Sequence, residues 1–556
     1  MVRRILQSLS APVRGLHQAA YLLALLTLAS QLLALIRDRL FAHQFGAGEI
    51  LDLYYAAFKI PDVVFALVAS LVSAYVLIPR IAKGNEKETR TLLSHSISFL
   101  VVVGGLMCLG ISVWAPNVLF ALFPTFAHSS HASEFITLAR LLLIQPILLG
   151  VSGILSSVTQ MQRKFVLFAL SPVLYNLGII FGTVVLYPIY GLPGIGYGVI
   201  AGAILHVSMH IPVVIRSGLT PRLTIPSVKV LWSIARDSVP RSLSLSMGSI
   251  ISLLLISLAS RVSEGAVSVY TLASNLEAVP LSLIGASYAT AAFPVMAQSF
   301  HEGKKEEFKA TLVAATRHII FWTSVITVLT VVMRAYLVRV IYGTGAFNWD
   351  DTRLTAAVLA ILVMGLMAQC IILLCARAFY AAERSWNPFF VQLADFGISV
   401  GSAWGMLTLA RQHVEIRYFI EALFRVGDVP GTSVLFVALG ATIGQILMGI
   451  VALVTLRTVA PGVAKTLTRP LFEGYGAAIL GGAASYGVLT YTGTLAPLTR
   501  LSSVFLDAAV AGMVGLIVSG CILSLLENQE FRDLLQSLRK VSRSALRPSG
   551  LPTDAS

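Results

Sequence analysis

The chain has 556 residues, of which 56% are hydrophobic and 12% charged, and its mean hydropathy is +0.83. Soluble domains carry about 25% charged residues, so this composition excludes an ordinary soluble enzyme and predicts an all-α polytopic membrane protein. The net charge of +14 reads as Lys/Arg excess in cytoplasmic loops. Nucleic-acid binding is not expected, because no basic run is interleaved with stacking aromatics.

Taken in chain order, the first apolar run is Ala20 to Ile36, after Arg3, Arg4 and Arg14. A signal peptide starts the same way. This run lacks a small-x-small cleavage site and approaches the ~20 residues that span a bilayer, so it reads as the first transmembrane helix. Windows of about 19 residues predict about fourteen spans, at roughly 20–36, 51–79, 92–115, 135–160, 166–187, 192–215, 239–260, 267–297, 312–333, 354–381, 388–410, 432–456, 472–492 and 503–526. No loop is long enough for a folded extramembrane domain, so function has to reside among the helices. Basic residues follow spans 2, 4, 6, 8 and 12 and end the chain at Arg539, Lys540, Arg543 and Arg547, whereas the loops after spans 3 and 5 have no Lys or Arg. That alternation predicts both termini in the cytoplasm. The loops after spans 9 and 11 are mixed in sign.

The first two spans carry the densest charge. "LLALIRDRLFAHQFGAGEILDLYYAAFKIPDVVF" runs from Leu32 to Phe65 and holds Arg37, Asp38, Arg39, Glu49, Asp52 and Lys59. A charge at membrane depth costs from about 3 to more than 10 kcal/mol, so such residues pair or face water. Interfacial anchoring would account for Arg37, Arg39 and Asp52. It accounts poorly for Lys59, which lies well inside span 2 beside Pro61. A hydrated wall holding Arg and Lys wants an anionic ligand such as a phosphate. Asp38 and Asp52 would then orient the cations.

The chain also repeats itself. "GAGEILDLYYAAFKIP" (46–61) resembles "GAVSVYTLASNLEAVP" (265–280), and "MQRKFVLFALSPVLYNLGI" (161–179) resembles "YAAERSWNPFFVQLADFGI" (380–398). The pairs Pro61 and Pro280, Pro79 and Pro294, and Pro172 and Pro388 are separated by 219, 215 and 216 residues. An even number of spans lies between the copies, which predicts a parallel repeat about the membrane normal, a transporter plan. The resulting division is a cytoplasmic N-terminal segment (1–19), an N-lobe (20–218), a cytoplasmic linker (219–238), a C-lobe (239–456), two C-terminal spans outside the repeat (457–526) and a cytoplasmic tail (527–556).

Other polar residues give weaker signals. His206 and His210 have metal-like i, i+4 spacing, but no third ligand is apparent and packing is the preferred reading. No metal site is expected. Cys108, Cys370, Cys375 and Cys521 lie in apolar runs without a C-x-x-C pair and read as small hydrophobes. Gln145, Asn176, Gln369, Gln392 and Gln445 read as interhelical hydrogen bonders. Asp395 is a candidate ion- or proton-coupling site. The glycines of "GYGVIAGA" (196–203) read as close helix packing. No nucleophile–base pair, zinc signature or phosphate loop is present, so a transporter is expected and not an enzyme.

Residues 32–62, "SPVLYNLGIIFG" (171–182), "GYGVIAGAILHVSMHIPVVIRSG" (196–218), "VIYGTGAFNWDDTRLTAAVL" (340–359) and "AFYAAERSWNP" (378–388) resemble, in order, segments of the MurJ/MviN family, the lipid II flippases of peptidoglycan synthesis. The resemblance covers about 20–410 and continues loosely to 530. It implies a multidrug/oligosaccharidyl-lipid/polysaccharide exporter fold with two lobes and two extra helices forming a lipid groove, in the bacterial inner membrane. It also implies cell wall biogenesis and maintenance of cell shape as the setting. On the family's pattern Arg37, Asp38, Asp52 and Lys59 occupy functional or motif positions. The pattern's further cations are replaced by Gln31, Phe65 and Asn275. The resemblance thus implies a flippase for an undecaprenyl-diphosphate-linked peptidoglycan precursor, lipid II. The alternatives are a flippase for another lipid-linked oligosaccharide, of O-antigen or teichoic type, and a non-transporting cell-wall scaffold with a degenerate cavity. The candidate substrate-binding residues are Arg37, Asp38, Arg39, Asp52, Lys59 and Asn275. Expected partners are the lipid-linked glycan, membrane lipids and cell-wall synthesis proteins. No cofactor is expected beyond coupling to a monovalent ion or the membrane potential.

Overall fold

The computed structural model describes residues 16–72, 74–81, 84–225, 228–495 and 501–536. Arg3, Arg4, Arg14, Lys83 and the tail residues Arg539, Lys540, Arg543 and Arg547 lie outside the described residues, as does most of the predicted segments 1–19 and 527–556. Among the described residues every regular element is a helix.

Single turns aside, the helices are α1 (Leu16–Phe45), α2 (Glu49–Val64), α3 (Ala74–Ile81), α4 (Glu86–Val113), α5 (Ala115–Leu122), α6 (Ala132–Met161), α7 (Phe165–Tyr190), α8 (Leu192–Arg216), α9 (Val228–Ser260) and α10 (Ala266–Pro280). There follow α11 (Ser287–His301), α12 (Lys305–Tyr342), α13 (Trp349–Val363), α14 (Leu366–Ala381), α15 (Trp386–Gln412), α16 (Val414–Phe424), α17 (Val434–Leu456), α18 (Thr468–Leu495) and α19 (Leu501–Leu525). Ten helical stretches are long and apolar enough to cross a membrane, and α13 with α14, bent by 45°, makes an eleventh if counted as one span. The predicted spans 20–36, 51–79 and 472–492 lie on α1, on α2 with α3, and on α18, outside that set. Their composition explains two of the three. Helix α2 packs Glu49, Asp52, Lys59 and Asp62 into 16 residues, and α18 is rich in glycine, serine and threonine. The count of fourteen therefore rests on the sequence.

Proline punctuates the two copies of the repeat alike. A proline has no N–H and disrupts the turn before it. Pro61 lies inside α2 and is followed by a wide π-helical stretch at Phe65–Ala69. Pro280 ends α10 and is followed by one at Leu281–Ala286.

Two compact units emerge. The first comprises Met1–Ala273, Ile341–Val358 and Ser385–Gly444. In it α7 and α8 meet through glycines. A Cβ placed on Gly182 would lie 2.7 Å from the Gly198 Cα, and one on Gly178 would lie 2.9 Å from the Gly198 carbonyl oxygen. Helices α15 and α17 meet the same way, since a Cβ on Gly444 would lie 2.9 Å from the Ser399 Cβ. These are spans 5 with 6 and 11 with 12, the corresponding pairs of the repeat. The interval predicted as a linker, 219–238, changes conformation along its length. Only its start is extended, with Arg222 N and Thr224 N donating to Ser94 Oγ at 3.0 Å and Ser98 Oγ at 2.9 Å on α4. Helix α9 begins at Val228 because "VKVLWSIARDS" spaces its apolar residues at helical intervals, which a hydropathy window averages away.

The mixed-sign segment after span 11 also contains a helix, α16. Its Val414, Tyr418, Phe419 and Leu423 are exposed. Its Glu421 is buried and accepts hydrogen bonds from Arg417 Nε at 2.7 Å and from Thr432 Oγ1. In the following loop the Arg353 guanidinium grips Asp428 through two bonds of 2.6 Å and holds its carboxyl below the usual carboxylate range.

The second unit comprises Ser274–Val340, Leu359–Arg384 and Gln445–Ser556. The C-terminal helices α18 and α19 pack on α12 through Phe321, Met333, Ala477, Leu489, Ala511 and Leu523. Phe505, Leu506, Met513 and Ile517 of α19 stay exposed, as suits a lipid-facing helix.

Candidate anion-binding site in the first unit

Arg37 and Asp38 are consecutive on α1, so helical geometry alone would point them apart. The arginine folds back instead. Its Nε and Nη2 donate to Asp38 Oδ1 at 3.0 and 2.8 Å. Its Nη1 donates to Asn176 Oδ1 on α7 at 3.0 Å. Asn176 Nδ2 in turn donates to the Pro172 carbonyl oxygen at 3.1 Å, which fixes the amide's orientation. The guanidinium carbon sits 6.0 Å from the Phe41 ring centroid, and Phe41 leans on Tyr54 and Tyr55. Asp38 is buried, with 3% of its side chain exposed, while Arg37 keeps 20%. A guanidinium has five N–H groups. These contacts use three, which leaves two for a further acceptor.

The other candidates separate into different roles. Arg39 Nη1 donates to the Ile341 carbonyl oxygen at 3.1 Å. Lys59 is half-buried and its Nζ donates to Ser252 Oγ on α9 at 3.2 Å. Asp62 follows one turn later on the same face.

Asp52 has a position of its own. It is 1% exposed. Its Oδ2 accepts from Gly265 N at 2.7 Å, and its Oδ1 accepts from Ser268 N at 2.7 Å and Ser268 Oγ at 2.6 Å. It therefore caps the N-terminus of α10, supplying acceptors to N–H groups that a helix start leaves unpaired. The reciprocal contact runs from Glu49 N at the start of α2 to Glu264 Oε1 at 3.3 Å.

Asn275 lies in the second unit on α10 and is half-buried. Phe65 is 40% exposed at the start of the π-helical stretch, and Gln31 is half-buried on α1. Asp395 is half-buried on α15 and accepts from Ser399 Oγ on its own helix at 2.6 Å. His206 and His210 spend their Nδ1 atoms on Ser152 Oγ at 2.7 Å and Thr159 Oγ1 at 3.1 Å. Among the described residues no group of three or more His, Cys, Asp and Glu could hold a metal ion. Sequence reasoning placed Asn176 among the interhelical hydrogen bonders without its partner. It passed over Ser252, one of many serines in "SLSLSMGSIISLLLISLAS", where nothing marks one hydroxyl from the next.

The family model for lipid II flippase MurJ matches residues 41–418. A lipid II flippase MurJ from Burkholderia cenocepacia is 23% identical over 381 residues, which is 65% of this chain and 72% of that protein. A solved lipid II flippase MurJ in an inward closed conformation superimposes with a TM-score of 0.71 at 20% identity, over 91% of this chain and 100% of the other. An inward-facing multidrug resistance MATE family transporter of the MOP superfamily gives 0.62 at 16% identity, over 80% and 99%. The shared fold is that of helical exporters. The chain belongs to the lipid II flippase MurJ family, as a multi-pass bacterial inner-membrane transporter and not an enzyme.

Proposed function

We propose that this protein moves lipid II, an undecaprenyl-diphosphate-linked peptidoglycan precursor, from the cytoplasmic to the outer leaflet by alternating access. The observation that carries the reading is Arg37. It is held by Asp38 and Asn176 yet keeps 20% of its side chain exposed. A diphosphate carries at least two negative charges, and an ion stripped of water in hydrocarbon meets a solvation penalty of order 20 kcal/mol in the idealised limit. Fixed cations replace that water. Arg37, with Arg39 and Lys59, supplies them, and Asp38 offsets part of their charge so that the headgroup can leave again. Asp395 is the candidate residue for ion coupling in this reading, and cell-wall synthesis proteins are the partners this role would bring.

The absence of cations at Gln31, Phe65 and Asn275 favours a second reading, a flippase for a different lipid-linked oligosaccharide, and a non-transporting scaffold as a third. The deciding experiment is complementation of a strain depleted of its own flippase, with headgroup exposure on the outer face as the readout. Wild-type protein should restore exposure and Arg37→Ala should not. A bond to a charged group contributes about 1.5–3 kcal/mol, so the rate should fall roughly ten- to hundredfold. Arg37→Lys should recover part of it, because an ammonium lacks the planar fork. Normal exposure with Arg37→Ala and Lys59→Ala combined would remove the site.

A further inference from the structure

The second unit buries a carboxyl group that the anion site does not use. Glu277 on α10 is 6% exposed. Its Oε1 accepts from Gln369 Nε2 on α14 at 2.5 Å, and the same nitrogen donates to Gln445 Oε1 on α17 at 2.8 Å. The Gln369 nitrogen thus lies between two oxygens. No Lys, Arg or His forms an ion pair with Glu277 among the described residues. Helix α17 carries no ionisable side chain, and neither does the π-helical stretch Leu281–Ala286. On α14 the ionisable groups are Cys370, Cys375, Arg377 and Tyr380. Cys370 is lodged against Gly285. Arg377 stands eight residues past Gln369, about 12 Å along the helix. On α10 the other ionisable side chain is Tyr270, nearly two turns away.

A carboxylate has about four lone-pair sites. This one meets a single amide N–H in a segment long and apolar enough to cross a membrane. Charged groups at that depth are paired or serve ion and proton pathways. The donor set chooses between a proton and a metal cation. Sodium-like cations want oxygen ligands, whereas the group aimed at Glu277 is an N–H, which would repel them.

We propose that Glu277, met by Gln369 that Gln445 holds in turn, is a proton-carrying site of this transporter, occupied by a proton in the state seen here. The proton comes from water and returns to water when Glu277 becomes hydrated, so α10 is neutral when buried and charged when wet. Its position three residues before Pro280, where the helix gives way to the π-helical stretch, sets it at the point of α10 best able to change shape. The role in transport rests on the flippase reading, but proton occupancy does not.

The test therefore reads the proton and not the cargo. Infrared difference spectra of the full-length protein in lipid nanodiscs near neutral pH should contain a carboxylic-acid carbonyl band that Glu277→Gln removes and Asp395→Asn keeps. Exchanging sodium chloride for choline chloride at fixed pH should leave that band unchanged. Glu277→Gln should also keep the wild-type melting temperature, because the amide replaces a group already neutral. Gln369→Leu should keep the band, because the carboxyl then has even less to stabilise its charge. An unchanged spectrum in Glu277→Gln, or loss of the wild-type band on adding sodium, would overturn the proposal. So would loss of the band in Gln369→Leu.

Discussion

Arg37 and Asp52 sit fifteen residues apart in one charged stretch, and the structure uses them oppositely. Arg37 keeps 20% of its side chain exposed, so truncating it opens a path for water to the buried Asp38 carboxylate, which loses this partner. Asp52 has three donors and almost no exposure. Replacing it by alanine orphans two backbone N–H groups and one hydroxyl, at a cost of about 2–4 kcal/mol. Arg37→Ala is therefore expected to express and melt like wild type while failing in transport. Asp52→Ala is expected to melt several degrees lower and accumulate poorly. Asp52→Asn should fall between, since its one carbonyl oxygen can still accept. Thermal melts of detergent-solubilised protein distinguish the two classes, and equal melts for Arg37→Ala and Asp52→Ala would show that Asp52 is not a structural cap.

At the scale of the element, helix contact is decided by what is missing from the side chains. Gly182 and Gly198 let α7 and α8 approach until no Cβ fits. Gly105 on α4 has nothing within 4 Å of where a Cβ would stand. Gly198→Val should then force the helices apart at about 1–3 kcal/mol or more, with a lowered melting temperature and lowered yield. Gly105→Ala should be neutral or slightly stabilising, because alanine is the better helix former. If both variants melted alike, glycine-mediated approach would not be what holds α7 to α8. The glycine run was readable as packing from the sequence. The π-helical stretches after Pro61 and Pro280 were not, because hydropathy records how apolar a turn is and not how wide it is.

For the whole molecule, the excess of Lys and Arg in alternate loops predicts which loops face the cytoplasm. It predicts Lys87 and Lys304 in the cytoplasm and Ser130 outside. Cysteines at these positions, labelled with an impermeant thiol reagent in intact cells, should react at 130 and stay silent at 87 and 304. Labelling at 87 would reverse the orientation and with it the direction of flipping.

By itself the sequence determined the all-helical membrane class, the repeat and the cluster of charges in spans 1 and 2. These follow from local quantities, namely hydropathy summed over a window, proline spacing and the cost of a charge at depth. Only the tertiary structure decided which charges serve which end. Arg37 could be recognised as costly, but its hold on Asn176 joins residues 139 positions apart. Asp52 looked like a partner for cations until α10 brought Gly265 and Ser268 to it across 213 and 216 positions. Glu277 gave no signal among its neighbours in the chain, because what isolates it are two glutamines on other helices. A side chain's charge is written in the sequence. Whether that charge is satisfied depends on donors and acceptors that only folding brings within hydrogen-bond reach.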